Sequence, residues 1–155
     1  MRPTSEFLHF LMTAALEEAQ KAAAADEVPV GAVIAVGDQI IARAHNLIET
    51  RQDSNAHAEV LAISLASSVQ KNWRLTEAIL AVTLEPCSMC AGAIKLARIP
   101  ILVYGRADTR AGAVGSLYDL TADSRTGPPP RVIAGIQEEK SAEILRSFFV
   151  GKRKK

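Results

Sequence analysis

His57 and Glu59, two positions apart, and Cys87 and Cys90, three apart, have the residue types and spacing to do chemistry together. The thiols are the only cysteines among 155 residues. Positions i and i+3 of a helix share a face, and a helix N-terminus shifts thiols toward thiolate. Such a pair can run a redox cycle or supply half of a metal site, and C-x-x-C alone does not choose between them. In a reducing cytosol both uses are favoured over a structural disulfide. His57-Ala58-Glu59 tips the balance toward metal. Zinc takes three or four nitrogen and sulfur ligands, and structural sites fill all four positions. One histidine and two cysteines leave a position open to water, the arrangement of a catalytic centre, with Glu59 beside it as a proton carrier. His9, in an amphipathic stretch, and His45, at a strand end, read as packing or surface residues.

These side chains need elements that hold them. Apolar residues at helical spacing from Phe7 to Ala19 predict a first helix over residues 4–25, capped by Thr4 or Ser5. Residues 28–36 are β-branched and apolar, Gly37-Asp38 makes a turn, and residues 39–44 resume, which predicts a hairpin whose first strand is buried on both faces. A polar loop over residues 46–55 leads into a helix over 57–69. Strands are predicted at 78–84, 101–104 and 131–136. A short helix at 87–97 has Pro86 suited to its first position, and a final helix covers 138–149. Residues 123–131, with three prolines and a glycine, are expected to be an extended loop. Strands alternating with helical runs imply an α/β domain of three layers, α/β/α, around a mixed sheet of about five strands. The hairpin rules out a purely parallel sheet.

Length fits one hydrophobic core, so residues 1–150 are expected to form a single domain followed by a basic tail at 151–155. No apolar run approaches the roughly 20 residues of a membrane span, and Glu6 and His9 interrupt any signal-peptide core near the start. A soluble, cytoplasmic protein without a membrane partner is the expectation. The net charge of +1 hides a cluster, Lys152, Arg153, Lys154 and Lys155, set against a mildly acidic remainder. Such a cluster is either a solvated tail or a phosphate contact.

H-x-E followed about 30 residues later by P-C-x-x-C resembles the signature of zinc deaminases. The chain as a whole resembles the cytidine deaminase-like superfamily, and within it the bacterial tRNA-specific adenosine deaminases. The likeness covers E-V-P-V-G-A-V from Glu27, N-A-H-A-E from Asn55, V-T-L-E-P-C-S-M-C-A-G-A from Val82, G-A-V-G-S-L from Gly112, and S-F-F from Ser147 with basic residues after it. The resemblance implies one zinc ion per subunit, held by His57, Cys87 and Cys90, with Glu59 as the catalytic proton shuttle. It implies hydrolytic deamination of adenosine to inosine at wobble position 34 of a tRNA anticodon stem-loop, with release of ammonia. Asn46, Asp108, Val30 and Ala58 are implied to bind the substrate, and a homodimer is implied in which the partner subunit helps form the RNA surface. T-A-D-S-R-T-G-P-P-P-R, from Thr121, departs from the histidine- and asparagine-containing stretch often found there, so no RNA contacts are carried over to it. Two other readings compete: a deaminase of a free base or nucleotide of the guanine or cytidine type, and a non-catalytic zinc-stabilised RNA-binding subunit.

Overall fold

A computed structural model describes residues 2–153. Helix α1 spans Ser5–Ala24, and the Thr4 hydroxyl accepts the Phe7 N–H at 3.1 Å as its N-cap. Strands β1 (Gly31–Val36) and β2 (Gln39–His45) form the expected hairpin around Gly37, whose φ of +64° suits glycine. β1 starts three residues later than predicted. Pro29 lacks an N–H, and the Val30 N–H closes a tight turn on the Val28 carbonyl at 2.8 Å, so the chain straightens only at Gly31.

Then come α2 (Ile48–Arg51), α3 (Ala58–Gln70), β3 (Ala78–Leu84), α4 (Ser88–Leu96), β4 (Ile101–Arg106), β5 (Arg131–Ala134) and α5 (Glu138–Arg153). The sheet order is β2-β1-β3-β4-β5. β1 lies antiparallel to both β2 and β3, while β3, β4 and β5 are parallel. β2 therefore points the same way as β3, β4 and β5. The polypeptide leaves β2 and β3 at one end of the sheet and enters α3 and α4 there, which brings both helix N-termini to that end.

Alternate residues of each strand face opposite layers, as the two-residue period requires. Val33, Ala35, Ile79, Ala81, Ile101 and Val103 pack with Leu8, Leu11, Met12 and Ala15 of α1, and Ile144 of α5 joins them. On the other face Ala32, Ile34, Leu80, Val82 and Leu102 pack with residues of α3 and α4. The result is the expected three-layer mixed-sheet domain. α1 comes so close to β1 that a Cβ at Gly31 would lie 2.0 Å from the Ala15 carbonyl oxygen and 2.5 Å from the Ala19 nitrogen.

Several boundaries differ from the sequence reading for identifiable reasons. Pro86 is not the first helical residue. Cys87 is the N-cap, with extended backbone at φ −75° and ψ 179°, and Ser88 opens α4. Pro86 stays outside the helix, where its carbonyl accepts the Ala113 N–H at 2.9 Å. The polar loop contains α2, because the carboxylate of Glu27, remote in sequence, accepts the Glu49 and Thr50 N–H groups at 3.0 and 2.6 Å. A single 3-10 turn, Ser124–Thr126, precedes the prolines, capped by Asp123. α5 continues through Gly151 and Lys152 to Arg153, since Lys152 Nζ pairs with Asp26 at 2.7 Å and lies 5.5 Å from the centroid of the Phe148 ring. The other two lysines of the basic cluster fall outside the described residues. His45 is a packing residue as expected, with Nδ1 3.0 Å from Oε1 of buried Glu18, and His9 is exposed.

The α1–β1 contact has no slack, whereas Gly92 in α4 has nothing within 4 Å of an added Cβ. Gly31→Ala is expected to destabilise the fold by about 2–3 kcal/mol or more through overpacking. Gly92→Ala should leave it unchanged or stabilise it by up to about 1 kcal/mol through helix propensity. Urea unfolding of the two variants checks both.

Candidate active site

His57 immediately precedes α3 and acts as its N-cap residue, yet makes no capping hydrogen bond. Asn46 does that work from β2's exit: its Oδ1 accepts the Ala58 N–H at 2.9 Å, and its Nδ2 donates to the Val28 carbonyl at 3.2 Å. The imidazole of His57 is thereby left to face the sulfurs. Its Nδ1 lies 3.6 Å from Cys87 Sγ and 3.5 Å from Cys90 Sγ. Among the described residues, these three form the group whose ligand atoms, all within 4.8 Å of one another, could hold a metal ion. Cys90 is buried and Cys87 half-buried.

The donor set fits a cation. The hydrogen bond from Cys90 holds the Cys87 thiol down to about 3, against the opposing effect of burial and with help from His57. The same contact pushes Cys90 up, and burial and the Glu59 charge add to it. The hydrogen bond with Cys87 raises His57, opposed by burial and aided by the charges of Cys87 and Glu59. Binding a divalent ion would require these groups to give up their protons.

Glu59 lies in the first turn of α3 and is only 4% exposed. Burial pushes its carboxyl up to about 7, opposed by its own backbone N–H and by His57. It is not part of the metal-ligand group. A buried carboxyl held near neutrality is suited to giving and taking protons.

The remaining sequence-predicted residues gather at the same end of the sheet. Val30 and Ala58 are buried in the core cluster beneath the site, and the Val30 carbonyl accepts the Asn46 N–H at 3.1 Å. Asn46 is 6% exposed, and its committed hydrogen bonds leave one amide hydrogen and one lone pair of Oδ1 unused. Asp108 is partly exposed in the segment after β4, and its Oδ1 accepts the Arg110 and Ala111 N–H groups at 2.9 and 3.2 Å.

Sequence reasoning missed two buried carboxylates and a cleft. Glu27, 1% exposed, accepts from the backbone of Glu49 and from both the backbone and hydroxyl of Thr50. Burial opposes its ionisation, but these donors outweigh it and hold the carboxyl below the usual range. Glu85 is similarly encased, by Ser116 and by backbone donors of Asp108, Val114 and Ser116, with the same result. An isolated glutamate beside an apolar run reads as surface, and only the E-P-C adjacency of Glu85 hinted otherwise. The cleft, about 540 Å³, is lined by Arg106, Asp108, Arg110, Arg146, Phe149 and Arg153, among others. Its arginines come from two distant segments, which no local pattern links.

An α/β sheet of this order with a His–Cys–Cys group at the starts of two helices belongs to the deaminase class of enzymes. The MafB19-like deaminase profile matches residues 9–153. A Bacillus subtilis (strain 168) protein named tRNA-specific adenosine deaminase is 46% identical over 144 residues, covering 93% of this chain and 89% of that protein. A solved structure from biochemical and structural studies of A-to-I editing by tRNA:A34 deaminases at the wobble position of transfer RNA superimposes with a TM-score of 0.82. It is 42% identical, over 88% of this chain and 99% of that one. The chain belongs to the MafB19-like deaminase family and, within it, to the tRNA-specific adenosine deaminases. A guanine deaminase from Nitrosomonas europaea, 23% identical, aligns with a TM-score of 0.75 over 92% of this chain and 84% of its own, a likeness of fold alone.

The Glu27 carboxylate is ionised in the fold below its ordinary pKa, so its contribution is full above that ordinary value and disappears as pH falls through the lowered one. Glu27→Gln should therefore lower unfolding free energy by about 1–3 kcal/mol at pH 7. The gap between variant and parent should narrow in acid, as read by urea unfolding across pH 7 to 3.

Proposed function

We propose that the protein is a zinc-dependent deaminase that converts adenosine to inosine at wobble position 34 of a tRNA anticodon. The observation that carries the polynucleotide substrate is the arginine-lined cleft, which opens beside Asp108 at the end of the sheet that holds His57, Cys87 and Cys90. Four arginines and an exposed aromatic ring suit a phosphate backbone and stacked bases. A free purine or pyrimidine offers no phosphate for them. The names of the relatives point the same way.

Zinc suits the ligand set. Bond lengths of about 2.0 Å to nitrogen and 2.3 Å to sulfur at a tetrahedral angle would imply N···S separations of roughly 3.5 Å. The observed 3.6 and 3.5 Å agree with that. His57 would bind through Nδ1, and Cys87 and Cys90 through their thiolates. A zinc ion so held would supply Lewis acidity that activates water near neutral pH.

The protein's own residues then move the protons. The Glu59 carboxylate would accept a proton from the attacking water and deliver it to N1 of adenine. A second transfer through the same carboxyl goes to the departing amine, so adenosine and water become inosine and ammonia. Burial of Glu59 keeps bulk water from competing for its proton. Asn46 offers its unused amide hydrogen to the nucleoside, Val30 and Ala58 shape the floor beneath it, and Asp108 forms a wall. A base can reach this position only out of its stack, which a single-stranded anticodon permits.

We further propose a homodimer of the single deaminase domain, acting in the cytoplasm. Leu65 and Val69 on α3 and Leu96 on α4 are exposed on the side of the sheet that these helices share, and a second copy would cover them. No helix among the described residues is long and apolar enough to cross a membrane.

Incubation with an anticodon stem-loop bearing adenosine 34, and separately with free adenosine, guanine and cytidine, tests the substrate. Inosine is expected at position 34, and turnover confined to free bases or nucleosides would overturn the reading. Glu59→Gln should lose a factor of about 100 or more in kcat while retaining one zinc per chain. Cys90→Ser should lose zinc and thermal stability together, as metal analysis and melting would report. Arg106→Ala combined with Arg146→Ala should raise KM for the stem-loop about tenfold and flatten its dependence on salt, leaving kcat intact.

A further inference from the structure

Glu85 lies one residue past β3 and two before Cys87, outside the group of metal ligands. Its side chain is almost wholly buried. Oε1 accepts the Asp108 N–H at 3.0 Å and the Ser116 hydroxyl, and Oε2 accepts the Val114 and Ser116 N–H groups at 2.9 and 3.1 Å. A carboxylate has about four lone-pair sites, so this one is saturated within the protein. It has no capacity left to bind metal, carry a proton or meet substrate.

All four donors lie in one segment, residues 108–116, which winds around the carboxylate. Gly112 lets the segment close: a Cβ there would sit 2.4 Å from the Glu85 carboxyl carbon. Main-chain bonds add to this, from Glu85 N–H to the carbonyl of Arg106 at the end of β4 at 2.8 Å and from Ala113 N–H to the Pro86 carbonyl at 2.9 Å. Asp108 is braced at both of its ends, since its carbonyl accepts the Gly112 N–H at 2.8 Å while its N–H donates to Glu85. The segment has no regular strand or helix, and beside the burial of Ala113 and Val114 in the core, the Glu85 carboxylate supplies four of the hydrogen bonds that shape it.

We infer that Glu85 is a positioning residue for substrate recognition, fixing the Asp108 wall against the turn that presents Cys87 and Cys90. Glu85 and Pro86, which lead into the cysteine turn, both bond to this segment, so the cysteine turn and the Asp108 wall keep one spacing. The inference rests on the proposed reading of Asp108 as a pocket wall.

The test uses zinc-loaded protein and Glu85→Gln, which puts an amide NH2 where one pair of donors expects an acceptor. The Asp108, Val114 and Ser116 amides should exchange hydrogen at least tenfold faster, with the α3 and α4 amides unchanged. Zinc should stay at one per chain. KM for the adenosine-34 stem-loop should rise about tenfold or more while kcat stays within about threefold. Ser116→Ala, which removes one donor and leaves the carboxylate in place, should move exchange and KM in the same direction by a smaller factor. Unchanged exchange at those three amides in both variants would overturn the inference, as would zinc loss or a fall in kcat with KM unchanged. If the parent protein deaminates no stem-loop, the functional reading fails, and the exchange measurement still decides whether Glu85 holds the segment.

Discussion

Two sulfurs, an imidazole and a carboxyl group meet at the entrances to α3 and α4, and burying such a set requires that its charges be balanced locally. The remainder of the fold follows from delivering those groups to one place. β2, β3 and β4 run in one direction, with α3 and α4 as the returns between them, so both helices start at the carboxyl ends of the strands. Ligand sites in α/β sheets lie at that end for this reason. The antiparallel β1, inserted between β2 and β3, adds Val28 and Val30 to the same rim. Neither ligand-bearing helix start is capped by its own side chain. At α3 the cap comes from Asn46, which frees His57; at α4 the N-cap residue is itself the ligand Cys87.

Three of the buried glutamates show how environment decides the use of a carboxyl group. Glu27 and Glu85 are enclosed by donors, remain ionised and serve as fixed acceptors that shape backbone. Glu59 is equally buried but lacks such a donor shell, and is held near 7. One residue type therefore supplies two ionised struts and one carboxyl held near neutrality, and the difference is the number of N–H and O–H groups aimed at each.

The elements that were legible in the sequence are those whose signal is local. α1 has its Thr4 cap and apolar stripe, the hairpin has its β-branched runs around Gly37, and H-x-E with P-C-x-x-C carries the group that could hold a metal in two short strings. The illegible parts depend on partners far along the chain. α2 has a polar sequence and exists because Glu27 caps it. The last turn of α5 looks like a loose basic end, yet Lys152 is tied to Asp26. Pro86 looks like a helix opener, and its neighbour's extended backbone moves the helix start beyond it. The arginine cleft unites Arg106 with Arg146 and Arg153 only through the docking of α5 on β4.

The pairing of β1 with β3, Ala32 opposite Val82, has a further consequence for how the molecule assembles. The β1–β2 hairpin closes over two residues, whereas this ladder joins segments 50 positions apart and must wait for slow, non-local closure. His57 lies inside the intervening stretch, and the two cysteines lie just beyond it. In a nascent chain the thiols are already neighbours, but the imidazole reaches them only after this ladder forms. The three-residue group is thus complete only once the central strands have registered.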